Sequence, residues 1–388
     1  MEKVKNFLPS PDDTLLLKAI LLPQKEAIEA WETWLRIVNV DTLEAGTQRL
    51  FPLLYVKLKE YNIDHPLMNK FKGIYRQTWY KNQMIFHNAT PILKQFHEAE
   101  IDCLLLKGVA LTILYYKDMG IRHMSDLDIL VSPNNVRRAI QILQDLGYQP
   151  KEEFIFPFKE SYLYLQHSID FVHKDNKQEV DLHWHIFFKN CGLHDDDSLW
   201  QNKQPVQLNG FPLYTLDATD HLMHVCIHGL RFNELSPIRW IVDAKIIIDQ
   251  NEIAWERLIE EIKKRKVVLL FSYAMQYLSS EFNVNIPKNV LERISTIHIE
   301  KIEYDEENID NQKANKGIPS TKEVFRWYKT NFIRYSQARA TSPYFYLRPS
   351  SYFDYLMYCW KLSSVTELPI LFLKKGWRST HRHFKYKK

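Results

Sequence analysis

The sequence predicts an α+β fold in which a small mixed-sheet domain is flanked by a helical region on each side. Three observations lead to this prediction. Apolar residues recur at helical steps in the first quarter of the chain, short apolar runs bounded by turns replace them in the middle, and helical spacing returns after Pro212. We therefore divide the chain into a helical N-terminal region (1–99), an α/β domain (100–215) and a helical C-terminal region (216–388).

Residues 10–99 have the apolar spacing of helices. Leucine, isoleucine and aromatic residues recur three or four positions apart along this stretch, for example at Trp31, Trp34 and Leu35 and again at Leu54 and Leu58. Across the whole chain, we expect these tryptophans to lie in the core: Trp31, Trp34, Trp79, Trp184 and Trp240.

The middle of the chain alternates strands with helices. The predicted elements are a strand at 103–106, a turn at Lys107–Gly108, a helix at 109–116, a strand at 127–131, a helix at 133–146, and alternating runs typical of strands at 162–172 and 179–184. This order predicts a compact α/β domain.

The last third is predicted to be helical again. Asp217 or Thr219 is a candidate N-cap, because both residue types accept hydrogen bonds from the first helical turn. The predicted helices cover 221–230, 237–249, 254–282 and 323–339, with a polar linker at 303–320.

Length and composition bound the class of protein. At 388 residues the chain is long enough for two or three cores, because single domains usually contain about 100 to 200 residues. Hydrophobic residues make up 45% of it and charged residues 25%, as in a folded chain. The net charge of +4 is small for this length, which argues against a protein that coats nucleic acid or membranes.

The cysteines and the N-terminus predict a cytoplasmic protein. Cys103, Cys191, Cys226 and Cys359 are scattered without paired spacing, which argues against a disulfide framework or a zinc ribbon and favours a reducing compartment. The first residues lack the apolar core and cleavage site of a signal peptide. The apolar stretch 352–373 is interrupted by charges and a proline, so we expect a buried helix there and no membrane span.

Two carboxylates lie on the strand predicted at 127–131. Alternate residues of a strand share a face, so Asp126 and Asp128 point one way while Leu127, Ile129 and Val131 face the core. Like charges side by side are costly unless a cation neutralises them, and oxygen ligands favour Mg²⁺ or Mn²⁺ over zinc. A divalent ion is therefore implied, although a solvated strand end would also explain the pattern taken alone.

Two further features strengthen this interpretation. Lys107–Gly108 occurs where a strand gives way to a helix, a position at which backbone N–H groups bind phosphate, although an ordinary turn has the same pattern. Downstream, Glu179, Asp181 and His183 alternate onto one face. A third carboxylate beside the first two gives the ligand set of two-metal phosphoryl transfer.

Several segments of the chain together form a recognisable set of motifs: Leu104–Leu111, Tyr115–Tyr116, Ile121–Val131, Glu179–Trp184, His221–Gly229 and Arg239–Asp243. With these motifs the sequence resembles a bacterial family of largely uncharacterised nucleotidyltransferases within the polymerase-beta superfamily. The resemblance spans roughly residues 15 to 280 and is most specific between 104 and 131.

The resemblance implies a magnesium-dependent transferase with a polymerase-beta-type domain. By analogy, Asp126 and Asp128 would hold both metal ions, Asp181 would complete the site and assist the acceptor hydroxyl, and Lys107 and Gly108 would form the phosphate loop. The expected reaction moves a nucleoside monophosphate from an NTP, with ATP as the expected donor, to a hydroxyl of a small molecule or protein, and releases pyrophosphate.

The chain departs from the superfamily pattern at the phosphate loop. Superfamily members commonly carry Gly-Ser shortly before the carboxylate pair, whereas here Gly108 follows a lysine and lies farther from Asp126. Arg122 and Ser125, just before the carboxylates, are candidates to contact the triphosphate, and a structural role is the alternative for each.

Three other functions stay open at this point. The basic, aromatic stretch 374–388 could hold an RNA whose 3′ end is extended, could bind anionic lipid headgroups, or could be a solvated tail, and nucleic acid is not the favoured partner. A lysine-containing loop unable to align the triphosphate would leave a non-catalytic nucleotide-binding scaffold. The third is a histidine-based hydrolase centred on 221–228.

The predicted helices at 221–230 and 237–249 carry three histidines and a possible ion pair. His221, His224 and His228, with Cys226 nearby, fall at helical steps and could bind a metal, but we favour packing against the α/β domain, with one histidine able to reach the acceptor pocket. Asp243 is expected to form a structural pair with Arg239.

Overall fold

The fold is described from a computed structural model of the chain. The structure describes residues 8–151, 158–188, 191–192, 194–230 and 238–304, together with residues 329, 332, 335, 336, 352, 355, 357 and 366. The basic tail at 374–388 lies outside the described residues, as do most of the predicted linker at 303–320, the helix at 323–339 and the apolar stretch at 352–373.

The N-terminal region is helical, as predicted. Its helices are α1 (Pro11–Leu21), α2 (Gln24–Ile37), α3 (Ala45–Gln48), α4 (Phe51–Glu60) and α5 (Leu67–Glu98). Ser10 caps α1 by accepting a hydrogen bond from the backbone N–H of Asp13, and Pro11 occupies the first turn, where its missing N–H costs nothing. Four of the five named tryptophans are buried, but Trp79 is 46% exposed because it lies off the buried face of α5, so that prediction was wrong.

A seven-stranded mixed sheet forms the middle of the chain. Its strands are β1 (Cys103–Leu105), β2 (Asp126–Val131), β3 (Tyr148–Pro150), β4 (Ser168–His173), β5 (Glu179–His183), β6 (Gln204–Leu208) and β7 (Phe211–Thr215), in the spatial order β3-β4-β5-β2-β1-β7-β6. The pairs β2–β5 and β1–β7 are parallel, and the other neighbours are antiparallel. The predicted α+β class is confirmed.

Short helices connect these strands. They are α6 (Lys107–Leu111), which continues as a π-helical turn over Thr112–Tyr116, α7 (Val136–Asp145), which follows a 3₁₀ turn at Pro133–Asn135, α8 (Tyr162–Leu165) and α9 (Asp197–Gln201). The run 162–172 was expected to be extended throughout, but its first four residues form α8. Three of those four residues are buried, so the polar–apolar alternation of the run does not extend through its first four residues, and a helical turn fits them equally well.

The C-terminal region contains five described helices, α10 (Ala218–Gly229), α11 (Arg239–Gln250), α12 (Trp255–Lys264), α13 (Val268–Phe282) and α14 (Lys288–Thr296). Asp217 is the N-cap of α10 and accepts from the backbone N–H of Asp220, whereas Thr219 lies inside the first turn. The single helix expected at 254–282 is divided, because Lys266 has a left-handed φ of 54° that ends α12. Helical spacing also returns later than expected, because 211–215 is a strand.

Both faces of the sheet are covered, and this determines where the carboxylates lie. Leu127, Ile129 and Val131 of β2 are fully buried in a core that the sheet shares with α5 and α7. Leu130, on the opposite face, belongs to a second core that contains residues of α1, α2, α10 and α11. Asp128 shares the face of Leu130 and is therefore directed towards the helical regions.

Within the described parts of the chain, no helix combines the length and the apolar character that crossing a bilayer requires.

Candidate active site

The carboxylates of β2 and β5 are brought together by the register of these two strands. The parallel pairing places Asp128 opposite Asp181 and Asp126 opposite Glu179. On the other side of β5, Asp170 of β4 pairs with Asp181. Since paired residues of neighbouring strands point to the same face, Asp128, Asp181 and Asp170 form a row across three strands. Sequence reasoning missed Asp170, because only the pairing of β4 with β5 adds it to the row.

Lys107 contacts this row. The backbone N–H of Leu106 donates to the carbonyl of Asp128 at 3.0 Å, which places the start of α6 beside β2. Lys107 has a left-handed φ of 44°, and its Nζ lies 2.5 Å from Asp128 Oδ1 and 3.4 Å from Asp181 Oδ2. The lysine expected at a phosphate loop is thus bound to the carboxylates in this structure.

His183 completes a compact group of possible ligands. Its Nε2 lies 2.7 Å from Asp181 Oδ2 and 3.4 Å from both Asp128 Oδ1 and Lys107 Nζ. Asp128, Asp181 and His183 each offer one ligand atom, and these atoms lie within 4.8 Å of one another. Within the described residues this is the one such group of three or more, and the α10 histidines do not form another. The sequence placed His183 on the correct face, but gave no sign that its ring meets both carboxylates.

The ionisation of the group shows a surplus of negative charge. Asp128 and burial raise the pKa of Asp126 to about 6. Burial and the nearby Asp181 charge also raise the pKa of Asp170. Burial alone would raise the pKa of Asp181 and lower the pKa of His183. The attraction between the two side chains reverses both effects: it holds the pKa of Asp181 well below its usual value and raises the pKa of His183 to about 9. Lys107 therefore does not fully compensate the carboxylates.

These residues fit a divalent cation. Asp181 Oδ1 is buried and has no hydrogen-bond partner among the described residues, so one carboxylate oxygen is left to coordinate. Carboxylate oxygens are preferred ligands of Mg²⁺ and Mn²⁺, and the imidazole of His183 is compatible with Mn²⁺ and later transition metals. Asp126 is outside the three-residue group but shares its face, and its carboxylate accepts a hydrogen bond from Ser125 Oγ at 3.1 Å.

The loop before β2 is held by buried polar contacts. The Asn82 side chain of α5 donates to the carbonyls of Met119 and Arg122 at 2.6 and 2.7 Å. The Arg122 guanidinium is buried and donates from Nε and Nη2 to the two oxygens of Asp243, at 2.9 and 2.8 Å. Asp243 also accepts from the Tyr116 hydroxyl at 2.7 Å.

The partner predicted for Asp243 was wrong. Arg239 lies one helical turn before Asp243 on α11, a spacing that permits a pair. However, Arg239 donates to the carbonyl of His123, and the buried carboxylate binds Arg122 from the facing loop in a two-pronged geometry.

Gly108 allows α6 to pack closely against the same loop. A Cβ added at this position would lie 2.7 Å from Met124 Cγ and 3.1 Å from Arg122 Nη1. The sequence predicts that a phosphate approaches the backbone at Gly108. In this structure the side chains of Met124 and Arg122 lie there.

A cleft of about 390 Å³ opens beside the carboxylates. The sheet and α6 contribute Asp126, Asp128 and Lys107 to its wall, while α10 contributes His224 and His228. The remaining polar wall is formed by Arg49, Arg122, His123, Ser125, Arg239 and Asp243. The cleft is therefore lined both by acidic groups and by three arginines. His221 is not part of it, and its Nε2 lies 3.1 Å from the Thr215 hydroxyl.

The fold and this cleft can be set beside known proteins. A family model described as "Uncharacterised nucleotidyltransferase" matches residues 39–283, so the chain belongs to that nucleotidyltransferase family. The crystal structure of the lincosamide antibiotic adenylyltransferase LnuA with lincomycin bound is similar at 16% sequence identity and a TM-score of 0.28, covering 40% of this chain and 91% of that one. No curated protein matches the chain.

Proposed function

We propose that the chain transfers a nucleoside monophosphate from an NTP to a hydroxyl group of a small molecule or protein and releases pyrophosphate. The observation that carries this proposal is the cross-strand pairing of Asp128 with Asp181, in contact with Lys107 and His183 and beside a cleft. Membership of a nucleotidyltransferase family supports it. The division into 1–99, 100–215 and 216–388 is proposed with it, the middle segment supplying the carboxylates.

Asp126, Asp128 and Asp181 are the proposed ligands of Mg²⁺ or Mn²⁺, and His183 is added as a positioning residue beside them. A divalent ion held there would neutralise charge on the phosphates and lower the pKa of the attacking hydroxyl. His183 fixes the orientation of Asp181 through their 2.7 Å contact, as outer partners of ligating carboxylates do. Asp181 is proposed to assist the acceptor hydroxyl.

The loop residues are proposed to position the nucleotide. Ser125 and Arg122 precede the carboxylates, and Asp243 holds Arg122 with its Nη1 towards Gly108. In the reaction, the acceptor oxygen forms a bond to the α-phosphorus while the bond to the pyrophosphate oxygen breaks, and the hydroxyl proton leaves to a carboxylate. Rate acceleration would come from alignment and from charge neutralisation around the phosphates.

The test compares label transfer by matched variants. Wild type, Asp126→Asn, Asp128→Asn and Asp175→Asn are incubated with each α-labelled NTP, Mg²⁺ or Mn²⁺, and hydroxyl acceptors, and pyrophosphate release is measured. Asp175 lies in the exposed turn after β4 and serves as the control. We expect the two site variants to lose at least about a hundredfold, or 2.7 kcal/mol, while Asp175→Asn keeps full activity. Equal transfer by all four proteins would remove the proposal.

A further inference from the structure

Among the described residues, the three arginines that line the cleft carry more positive charge than Asp243 neutralises. Arg49, Arg122 and Arg239 all line the cleft, together with Asp243. Asp243 is bound to Arg122, and among the described residues neither Arg49 nor Arg239 forms an ion pair. Burial and the positive charges of Arg122 and Arg49 lower the pKa of Arg239 to about 10, which is the response expected of an undercompensated cationic cluster.

The two arginines that form no ion pair among the described residues come from the helical regions that flank the sheet. Arg49 follows α3, and Arg239 is the first residue of α11. In contrast, the cationic group of the strand–turn–helix segment, Lys107, is bound to Asp128, and Gly108 packs against Met124. The guanidinium groups available to bind an anion in this cleft, those of Arg49 and Arg239, therefore lie outside the Lys107–Gly108 turn, where the sequence predicts phosphate binding.

An unpartnered imidazole also marks the cleft as a place that a ligand completes. His224 lines it, is 1% exposed, and finds no hydrogen-bond partner for either ring nitrogen in the described part of the chain. Buried polar atoms without partners are rare in folded proteins, so a ligand that accepts a hydrogen bond from this ring would stabilise the cleft. A phosphate oxygen would accept from the N–H of this ring.

We propose that Arg49 and Arg239 bind the oligophosphate of the nucleotide in the cleft that Arg122 also lines. This inference rests on the proposed function for the identity of the ligand. Guanidinium groups match phosphate oxygens with paired hydrogen bonds and keep their charge at all relevant pH values. Asp126 and Asp128 line the same cleft. The two arginines hold the β- and γ-phosphates and stabilise the charge that develops on pyrophosphate as it leaves.

The first arm of the test measures tripolyphosphate binding calorimetrically in EDTA, with no metal and no acceptor. The proteins are wild type, Arg49→Gln, Arg239→Gln and, as control, Arg138→Gln, which removes an exposed arginine of α7. We expect Arg49→Gln and Arg239→Gln each to weaken binding at least about tenfold, because a hydrogen bond to a charged group is lost, and the control to bind like wild type. Arg239→Lys, which keeps the charge, should recover part of the loss, and circular dichroism checks folding.

The second arm identifies the source of the phosphate. If the site takes the NTP, the same variants weaken ATP binding as much as tripolyphosphate binding and leave glycerol phosphate unaffected. If they weaken glycerol phosphate and leave ATP unchanged, the site serves a phosphorylated acceptor and the assignment to the nucleotide is overturned. Wild-type affinity for tripolyphosphate in Arg49→Gln and Arg239→Gln would overturn the subsite itself. Because no transfer is measured, loss of the proposed activity would not imitate either result.

Discussion

Replacing Lys107 by methionine should strengthen metal binding. The ammonium lies 2.5 Å from Asp128 Oδ1 and 3.4 Å from Asp181 Oδ2, and both residues belong to the ligand group. A divalent ion bound at this group would therefore compete with the ammonium for the same oxygens. Methionine keeps most of the length and volume of the side chain but removes the charge, so the carboxylates lose their internal cation.

The size of the effect follows from the distances. Two unit charges about 4 Å apart at an effective dielectric constant of about 20 interact by about 4 kcal/mol. The Lys107 side chain is 20% exposed, so solvent screening reduces the energy recovered when an ion replaces it. We expect a gain of about 1.4 to 2.8 kcal/mol, which corresponds to Mn²⁺ binding roughly 10- to 100-fold more tightly. If Lys107 also contacts the nucleotide, transfer should fall while metal affinity rises.

The assay is Mn²⁺ binding without nucleotide, followed by electron paramagnetic resonance or calorimetry. Lys151→Met is the matched control, because Lys151 Nζ lies 2.7 Å from Glu179 on the same sheet, but both side chains are about one third exposed or more. Such a pair is worth less than about 1 kcal/mol, so this variant should shift the affinity by less than about fivefold. Equal or weaker Mn²⁺ binding by Lys107→Met would refute the competition.

Three further outcomes are expected. Asp243→Asn should lower the free energy of unfolding in urea by about 3 kcal/mol, because it leaves the buried guanidinium of Arg122 without its counter-ion; a loss below about 1 kcal/mol would contradict that. Gly108→Ala should cost about 1 to 3 kcal/mol through its clash with Met124, and adding Met124→Ala should give less than the sum of the two losses; strict additivity would show that the contact is unimportant. Burial lowers the pKa of His221 in the folded chain to about 3. Below about pH 6.5 the unfolded chain therefore binds a proton at this residue and the folded chain does not. The free energy of unfolding should fall by about 1.4 kcal/mol for each unit that the pH decreases. His221→Gln should flatten the unfolding free energy between pH 6.5 and 4.5, and parallel curves would exclude this role.

Strand β2 and the cap of α10 could be predicted because their signals are local. Alternating carboxylates and aliphatic residues on 126–131 define both faces of a strand without reference to any other segment. Asp217 caps α10 through a contact three residues away. Such features depend on neighbours in sequence, so the spacing of residue types is sufficient.

The hairpin of β6 and β7 was missed although its turn signal is present. Asn209 and Gly210 have left-handed φ values of 50° and 83°, as the Asn-Gly turns of tight hairpins require. Proline interrupts both flanking strands, at positions 205 and 212, and obscured the alternation that would have predicted them.

The contacts of the candidate site depend on distant parts of the chain. Lys107 meets Asp181, and Arg122 meets Asp243, across long sequence separations that no residue spacing encodes. The sequence could therefore predict which carboxylates share a face, but not that a lysine and a histidine contact them. In the same way, the position of Arg49 beside Arg239 results from the packing of helices that lie far apart in sequence.

Anomalous scattering from crystals grown with Mn²⁺ and a non-hydrolysable α,β-methylene NTP offers the most direct check on how the acidic residues of β2 and β5 are used. We predict an anomalous manganese peak between the carboxylates of Asp128 and Asp181, with Asp126 and the nucleotide phosphates beside it. Manganese bound at the α10 histidines, or phosphates bound away from this cleft, would contradict the account.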